Sequence, residues 1–127
     1  MDSRAQALIT SLNLAAHPEG GYFREVYRSP LLVQPQDRES PRNALTTIYF
    51  LLTAGDISHW HRVAADEVWH YYEGAPLELW MADGTWQTQT RELLGAANLT
   101  ADPEACAPVQ IVPAGQWQAA RSTGAYT

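Results

Sequence analysis

The sequence predicts an all-β domain with one short N-terminal helix, and three observations lead there. Runs of alternating apolar and polar residues recur along the chain, YFREVYR at 22–28 being the clearest. Gly, Pro, Asn and Asp punctuate these runs every several residues, as the turns of such a chain require. A helix-start signature stands out once, near the N-terminus.

Taken in order, Ser3 with Gln6 three residues later reads as a capping box. Leu8, Ile9 and Leu12 form an amphipathic stripe over a helix that ends near Asn13 and covers one end or face of the β structure. HPEGG follows as a turn built on Pro18 and paired glycines. In the strand at 22–28, Tyr22, Arg24, Val26 and Arg28 share one face, and Phe23, Glu25 and Tyr27 the other. Residues 29–43 are polar and carry three prolines, which predicts a surface loop. ALTTIYFLLTAG at 44–55 is the most apolar run and reads as a buried strand; SHWHRV after it is extended. DEVWHYYEG and PLELWMA are expected to pair as a hairpin around Gly74–Pro76. Asp83-Gly84 marks a tight turn before TWQTQTREL. Residues 93–108 read as a second loop region with a helical turn, and VQIVPAGQWQAAR as two short strands joined at Pro113–Gly115.

At 127 residues the chain is one domain, residues 1–127, long enough to bury a core without disulfides or a structural metal. The net charge of −6, with no clustered arginines, excludes a nucleic-acid partner. There is no lysine, so Schiff-base and P-loop chemistry are excluded as well. Cys106 is the lone cysteine and reads as a loop residue, which fits a reducing cytoplasm. No run is long and apolar enough to span a membrane, and no signal peptide is visible.

Chemistry concentrates in GDISHWHRVAADEVWHYYEG at 55–74, which holds His59, His61 and His70 of the four histidines, with Glu67. His59 and His61 lie two apart, so an extended strand projects both from one face. With Glu67 from a neighbouring strand they can form a facial metal site or a metal-free acid/base group. Glu67 shares its strand face with Trp69 and Tyr71, apolar surroundings that favour a general base by destabilising the charged form. An ion pair with Arg24 or Arg62 is the structural alternative for Glu67. His70 falls on the opposite face under strict alternation. The five tryptophans are mostly core by type, but Trp69 and Trp117 adjoin the motif positions and could line a pocket.

Gly55, His59-x-His61, Glu67 and Gly74 together resemble the first motif of the cupins, with five residues instead of three or four between His61 and Glu67. HPEGGYFREVYRS, SHWHRVAADEVWHYYEG and IVPAGQWQAAR, in that order, are similar to a subfamily of small, largely uncharacterised cupins described as sugar-epimerase-like. The resemblance implies the double-stranded β-helix, or jelly-roll barrel, with a small-molecule pocket inside it. In cupins a further histidine normally follows the second motif's Pro-x-Gly; here that position is Gln118, a poor ligand for Zn or Fe.

The resemblance implies epimerase- or isomerase-like proton transfer on a carbohydrate-type ligand. His59, His61, Glu67 and Tyr71 would be the catalytic candidates, with Tyr22 and Tyr72 as further acids. Tyr22, Arg24, Trp69, His70, Trp117 and Gln118 would form the ligand-binding set, Arg24 holding a substrate anion. Two alternatives stay open: a metal-dependent oxygenase or lyase using His59, His61 and Glu67 with Fe, Mn, Ni or Zn, and a binding or sensing module without turnover. Relatives of this type continue past the point matching Tyr126–Thr127. The resemblance therefore implies a chain truncated at its C-terminus, with an unpaired sheet edge, and a homodimer.

Overall fold

The structure, a computed structural model, describes residues 1–98 and 105–127. Helix α1 (Ser3–Ser11) is followed by strands β1 (Ala15–Ala16), β2 (Tyr22–Arg28), β3 (Leu32–Val33), β4 (Arg42–Asn43) and β5 (Thr46–Leu51). Then come β6 (Ser58–Arg62), β7 (Glu67–His70), β8 (Leu77–Ala82), β9 (Gln89–Leu94), β10 (Val109–Val112) and β11 (Trp117–Ser122). Antiparallel pairing gives a four-stranded sheet ordered β6-β11-β8-β9, a three-stranded sheet β1-β2-β5 and the pairs β10-β7 and β3-β4. The core lies between these layers: Leu52, Leu77, Leu79, Met81, Leu94, Val112 and Ala120, with Phe50, Trp69 and Tyr71 packed against them. Leu52 and Leu79 are wholly buried, each contributing about 1.5–3 kcal/mol.

All-β architecture with one N-terminal helix is therefore observed, and β2 has the predicted limits. The helix cap differs. Asp2, not Ser3, accepts from the backbone N–H of Arg4 and Ala5, because a carboxylate one residue earlier reaches the same unpaired donors. Ala5 is the fully buried helix residue, while Leu8, Ile9 and Leu12 are half-buried. The segment 29–43 contains the small ladder β3-β4 as well as loop.

The expected hairpin of 66–74 with 76–82 does not form. β7 pairs with β10, and β8 lies between β11 and β9. The link between them crosses from one layer to the other, and Gly74 (φ +100) makes this possible: a Cβ there would lie 2.4 Å from the Tyr126 carbonyl oxygen. Alternation identifies strands but not their partners, which is why the sequence suggests the nearer pairing. The Asp83-Gly84 turn is wider than expected, since β9 starts at Gln89 and Trp86 takes the left-handed conformation (φ 61). The helical turn expected within 93–108 falls partly on residues 99–104, outside the described residues.

The segment after β5 carries the last residues: Leu52 and Thr127 exchange backbone hydrogen bonds, and Ala54 donates to Ala125. These residues are thus paired, whereas β5 itself has β2 as its neighbour in the sheet among the described residues. No helix among the described residues is long and apolar enough to cross a membrane.

A surface clamp fastens α1. Arg4 donates twice to Glu73, and the Tyr126 hydroxyl donates to the same carboxylate. Hydrogen bonds from Arg4 and then Tyr126 hold the Glu73 carboxyl down at about 2, against an ordinary 4.5. A depressed acid stabilises the fold above its unfolded value and loses that contribution as pH falls through its folded value. The protection of α1 amides against hydrogen exchange, relative to the unstructured chain at the same pH, is accordingly expected to fall between about pH 4.5 and 2. Glu73→Gln should abolish that pH dependence. An unchanged profile would show that the clamp does not hold the helix.

Candidate functional site

The inner face of the β6–β11–β8 sheet builds the site. His61 and Gln118 are cross-strand partners, and Gln118 is also opposite Met81 of the core, so both side chains face inward. β7 supplies Glu67 and Trp69 from the facing layer, Glu67 lying opposite the buried Val112. Gln118 is completely buried and joins the two layers: its Nε2 donates to Glu67 Oε2 at 3.0 Å, and its Oε1 accepts from Trp69 Nε1 at 3.0 Å. An indole N–H can only donate. It therefore fixes the amide orientation, with oxygen toward Trp69 and NH2 toward the carboxylate. Glu67, Trp69 and His61 are half-buried, so solvent reaches them while Gln118 behind them stays dry. No buried side-chain nitrogen or oxygen among the described residues lacks a partner.

His61 is oriented by its own strand, its Nδ1 lying 2.7 Å from the His59 carbonyl oxygen. A carbonyl only accepts, so Nδ1 carries a proton, and in the neutral ring the Nε2 lone pair is left for other partners. His59 does not join it. The β6–β11 ladder shifts register between Gln118 and Ala120, placing His59 and Trp60 opposite one residue, Ala119. This bulge breaks the alternation that would have put His59 beside His61. Ser58 is buried, His59 exposed and His61 half-buried.

His17, in the turn between β1 and β2, belongs to the site although the sequence reading passed over it. Its ring meets Phe23 edge-on at 4.7 Å between centroids and Phe50 at 5.3 Å, and Phe50 meets Trp69 at 5.9 Å. Burial lowers the His17 pKa and the nearby His61 lowers it further, against the opposing pull of Glu19 and Glu67. The visible signal was HPEGG itself. Gly20 (φ +109) and Gly21 (φ +78) take left-handed conformations, and a Cβ on Gly20 would lie 2.0 Å from the Ile57 carbonyl oxygen. The turn is thus pressed against the segment leading into β6, where the Glu19 carbonyl accepts from the His59 N–H at 2.8 Å.

The other candidates lie elsewhere. The Tyr71 hydroxyl donates to the Gly74 carbonyl at 2.7 Å and so serves the crossover link. Tyr72 is 77% exposed, and His70 is exposed on the outward face of β7. Tyr22 and Arg24 face Leu51 and Tyr49 across the ladder, on the side of β2 opposite Phe23 and His17. Arg24 lies over the Tyr49 ring at 5.8 Å, so it is not placed to hold a substrate anion beside Glu67. Trp117 projects from the other face of β11 than Gln118. It packs against Trp86 at 5.4 Å, and Arg62 lies over its ring at 5.2 Å. Neither Arg24 nor Arg62 is an ion-pair partner of Glu67; the carboxylate's hydrogen-bond partner is Gln118.

On that outer face lies an open depression of about 340 Å3, lined by residues including Ile57, Trp60, Trp80 and Arg121. The buried Glu78 beneath it is bridged by Arg121 and Arg91 and accepts from Trp80 Nε1. Its ionisable groups pair with one another, whereas the inner cluster presents His61 Nε2 and the second Glu67 oxygen to solvent. The inner cluster is therefore the candidate site.

A cupin metal centre is not accommodated by these donors. Among the described residues, no three of His, Cys, Asp and Glu converge to hold an ion. His59 is turned away by the bulge, and the amide of Gln118 presents NH2 to Glu67 instead of a lone pair.

Comparison with known proteins agrees with the architecture. A family profile described as "Cupin superfamily (DUF985)" matches residues 6–127. A structure titled "Hypothetical protein from Leishmania major" is 33% identical with a TM-score of 0.82, covering 96% of this chain and 76% of that one. An X-ray crystal structure of a protein from Shewanella oneidensis is 31% identical with a TM-score of 0.83, covering 97% of this chain and 72% of that one. None of the curated proteins compared matches the chain.

Proposed function

The chain belongs to the cupin superfamily, in its DUF985 branch, and from that premise we propose that it binds a small carbohydrate-type molecule and moves a proton on it. The observation that carries this reading is the chain of hydrogen bonds from Trp69 through the buried Gln118 to Glu67. It holds one carboxylate oxygen rigidly, leaving the other to meet a ligand. A general base needs this kind of fixed reach to the proton it removes. His61 Nε2, the tautomer set by the bond at Nδ1, accepts a hydrogen bond from a ligand hydroxyl. The Trp69 indole gives a flat wall on which a sugar ring can stack.

In the proposed step Glu67 takes the proton from the carbon next to a carbonyl. The C–H electron pair becomes a C=C bond and the carbonyl π pair moves onto oxygen; return of the proton to the same carbon from the other face inverts it, whereas its return to the former carbonyl carbon, with the adjacent hydroxyl giving up its proton to the enolate oxygen and becoming the new carbonyl, moves the carbonyl group. The test is incubation of the protein with free aldoses and ketoses in D2O. Incorporation of deuterium at the carbon beside the carbonyl, above the protein-free rate, is expected. Ligand binding without incorporation would favour a non-catalytic module instead.

A further inference from the structure

We propose that His17 is the electrophilic partner of Glu67, a neutral imidazole that donates its Nε2–H to the oxygen of the developing enolate, so that the site selects α-hydroxycarbonyl compounds. The inference rests on the proton-transfer reading above and assigns a residue and a substrate class to it.

The backbone N–H of Glu19 donates to His17 Nδ1 at 2.9 Å. An N–H donor requires a lone pair at Nδ1, so the neutral ring carries its proton on Nε2. His61 is held in the opposite form, with Nδ1–H on the His59 carbonyl and Nε2 bare. Two imidazoles in one site are thus set as complements, one presenting a donor and the other an acceptor.

Neither assignment is free to change, because both partners are backbone groups, one in the braced turn and the other on β6, to which the turn is bonded. His17 N–H donates to the Gly21 carbonyl, Gly20 N–H donates to the His17 carbonyl, and the Glu19 carbonyl accepts from His59 N–H. Phe23 and Phe50 pack edge-on against the His17 ring. Burial, with the nearby His61, lowers the His17 pKa and so favours the neutral ring. A neutral imidazole N–H keeps its proton while it stabilises an oxyanion, which leaves proton movement to Glu67.

Donor, acceptor and carboxylate together describe a ligand. It needs a carbonyl oxygen for His17, an adjacent hydroxyl for His61 and an acidic C–H for Glu67. An α-hydroxyaldehyde or α-hydroxyketone supplies all three on neighbouring carbons.

Spectra of protein labelled with 15N-histidine read the tautomers directly. His17 should appear as Nε2–H, and His61 should carry a proton on Nδ1; His17 as the Nδ1–H form or as a cation would overturn the proposal. The D2O assay then separates it from the broader reading. With an α-hydroxycarbonyl sugar, His17→Phe should lower deuterium incorporation by about 100- to 1000-fold, the usual loss for one oxyanion donor. His17→Gln, whose amide keeps an N–H, should restore at least about tenfold of that loss. Unchanged incorporation in folded His17→Phe overturns the role of His17 and leaves the function standing. No incorporation by the unaltered protein with any sugar overturns both. Should His17→Phe fail to fold, His17→Gln against the unaltered protein decides: incorporation lost entirely in the folded variant, whose amide still offers an N–H, argues against donation.

Discussion

Glu67→Gln is expected to lower deuterium exchange into a sugar substrate by about a hundredfold or more, the usual worth of a positioned general base, while the fold survives. The substitution keeps the shape of the side chain, and its amide oxygen can still accept from Gln118 Nε2 in place of Glu67 Oε2. What disappears is the basic lone pair on the second oxygen. Circular dichroism and the melting temperature should therefore stay close to those of the unaltered protein. If exchange persists and the melting temperature falls, Glu67 is a structural acceptor for Gln118, and the catalytic assignment is wrong.

Gln118→Leu is expected to do the reverse damage, to the fold first. The side chain has no exposed surface and satisfies two groups on the opposite layer. Leucine fills a comparable volume but leaves the Trp69 indole N–H and one Glu67 oxygen facing an apolar neighbour. Each unmet group costs about 1–3 kcal/mol, and more where it is charged. A loss of roughly 3–5 kcal/mol follows, read as a fall in melting temperature of about 10 °C or more for a domain of this size. A shift of less than about 2 °C would show that water replaces the amide and that the bridge contributes little. The same variant tests the orientation argument, since Glu67 without its anchor should lose exchange activity even where the protein is folded.

The strands were largely legible because they announce themselves locally. β2 runs over the alternating residues, and β8 and β11 over runs whose turns are marked by Gly and Pro. Partnership was not legible in the same way. Nothing between Glu67 and Ala82 states that β7 prefers β10 to β8, since either pairing buries an apolar face. The site shows the same division. Glu67, His61, Trp69 and Gln118 meet as the two motifs imply, because motif spacing encodes register. His59 was misplaced by a bulge, which alternation cannot register. Trp117 was misplaced by adjacency: the residue before Gln118 on a strand necessarily faces the other way. His17 lay in a turn whose importance comes from where Gly20 and Gly21 allow it to dock.

The Gln118 bridge has a consequence for how the molecule comes into being. It joins residues 49 and 51 positions apart in the chain, whereas β8 and β9 face each other across a local reversal. Closing a long loop adds little to the free-energy cost, about 0.6 kcal/mol per doubling of its length. The separation is felt in kinetics instead, because non-local pairings are reached late and slowly. During refolding the β8–β9 ribbon can assemble early, while β6, β7, β10 and β11 still search for one another. A half-folded chain then contains sheet but no juxtaposition of Glu67 with Gln118. Recovery of ligand binding should trail recovery of β structure.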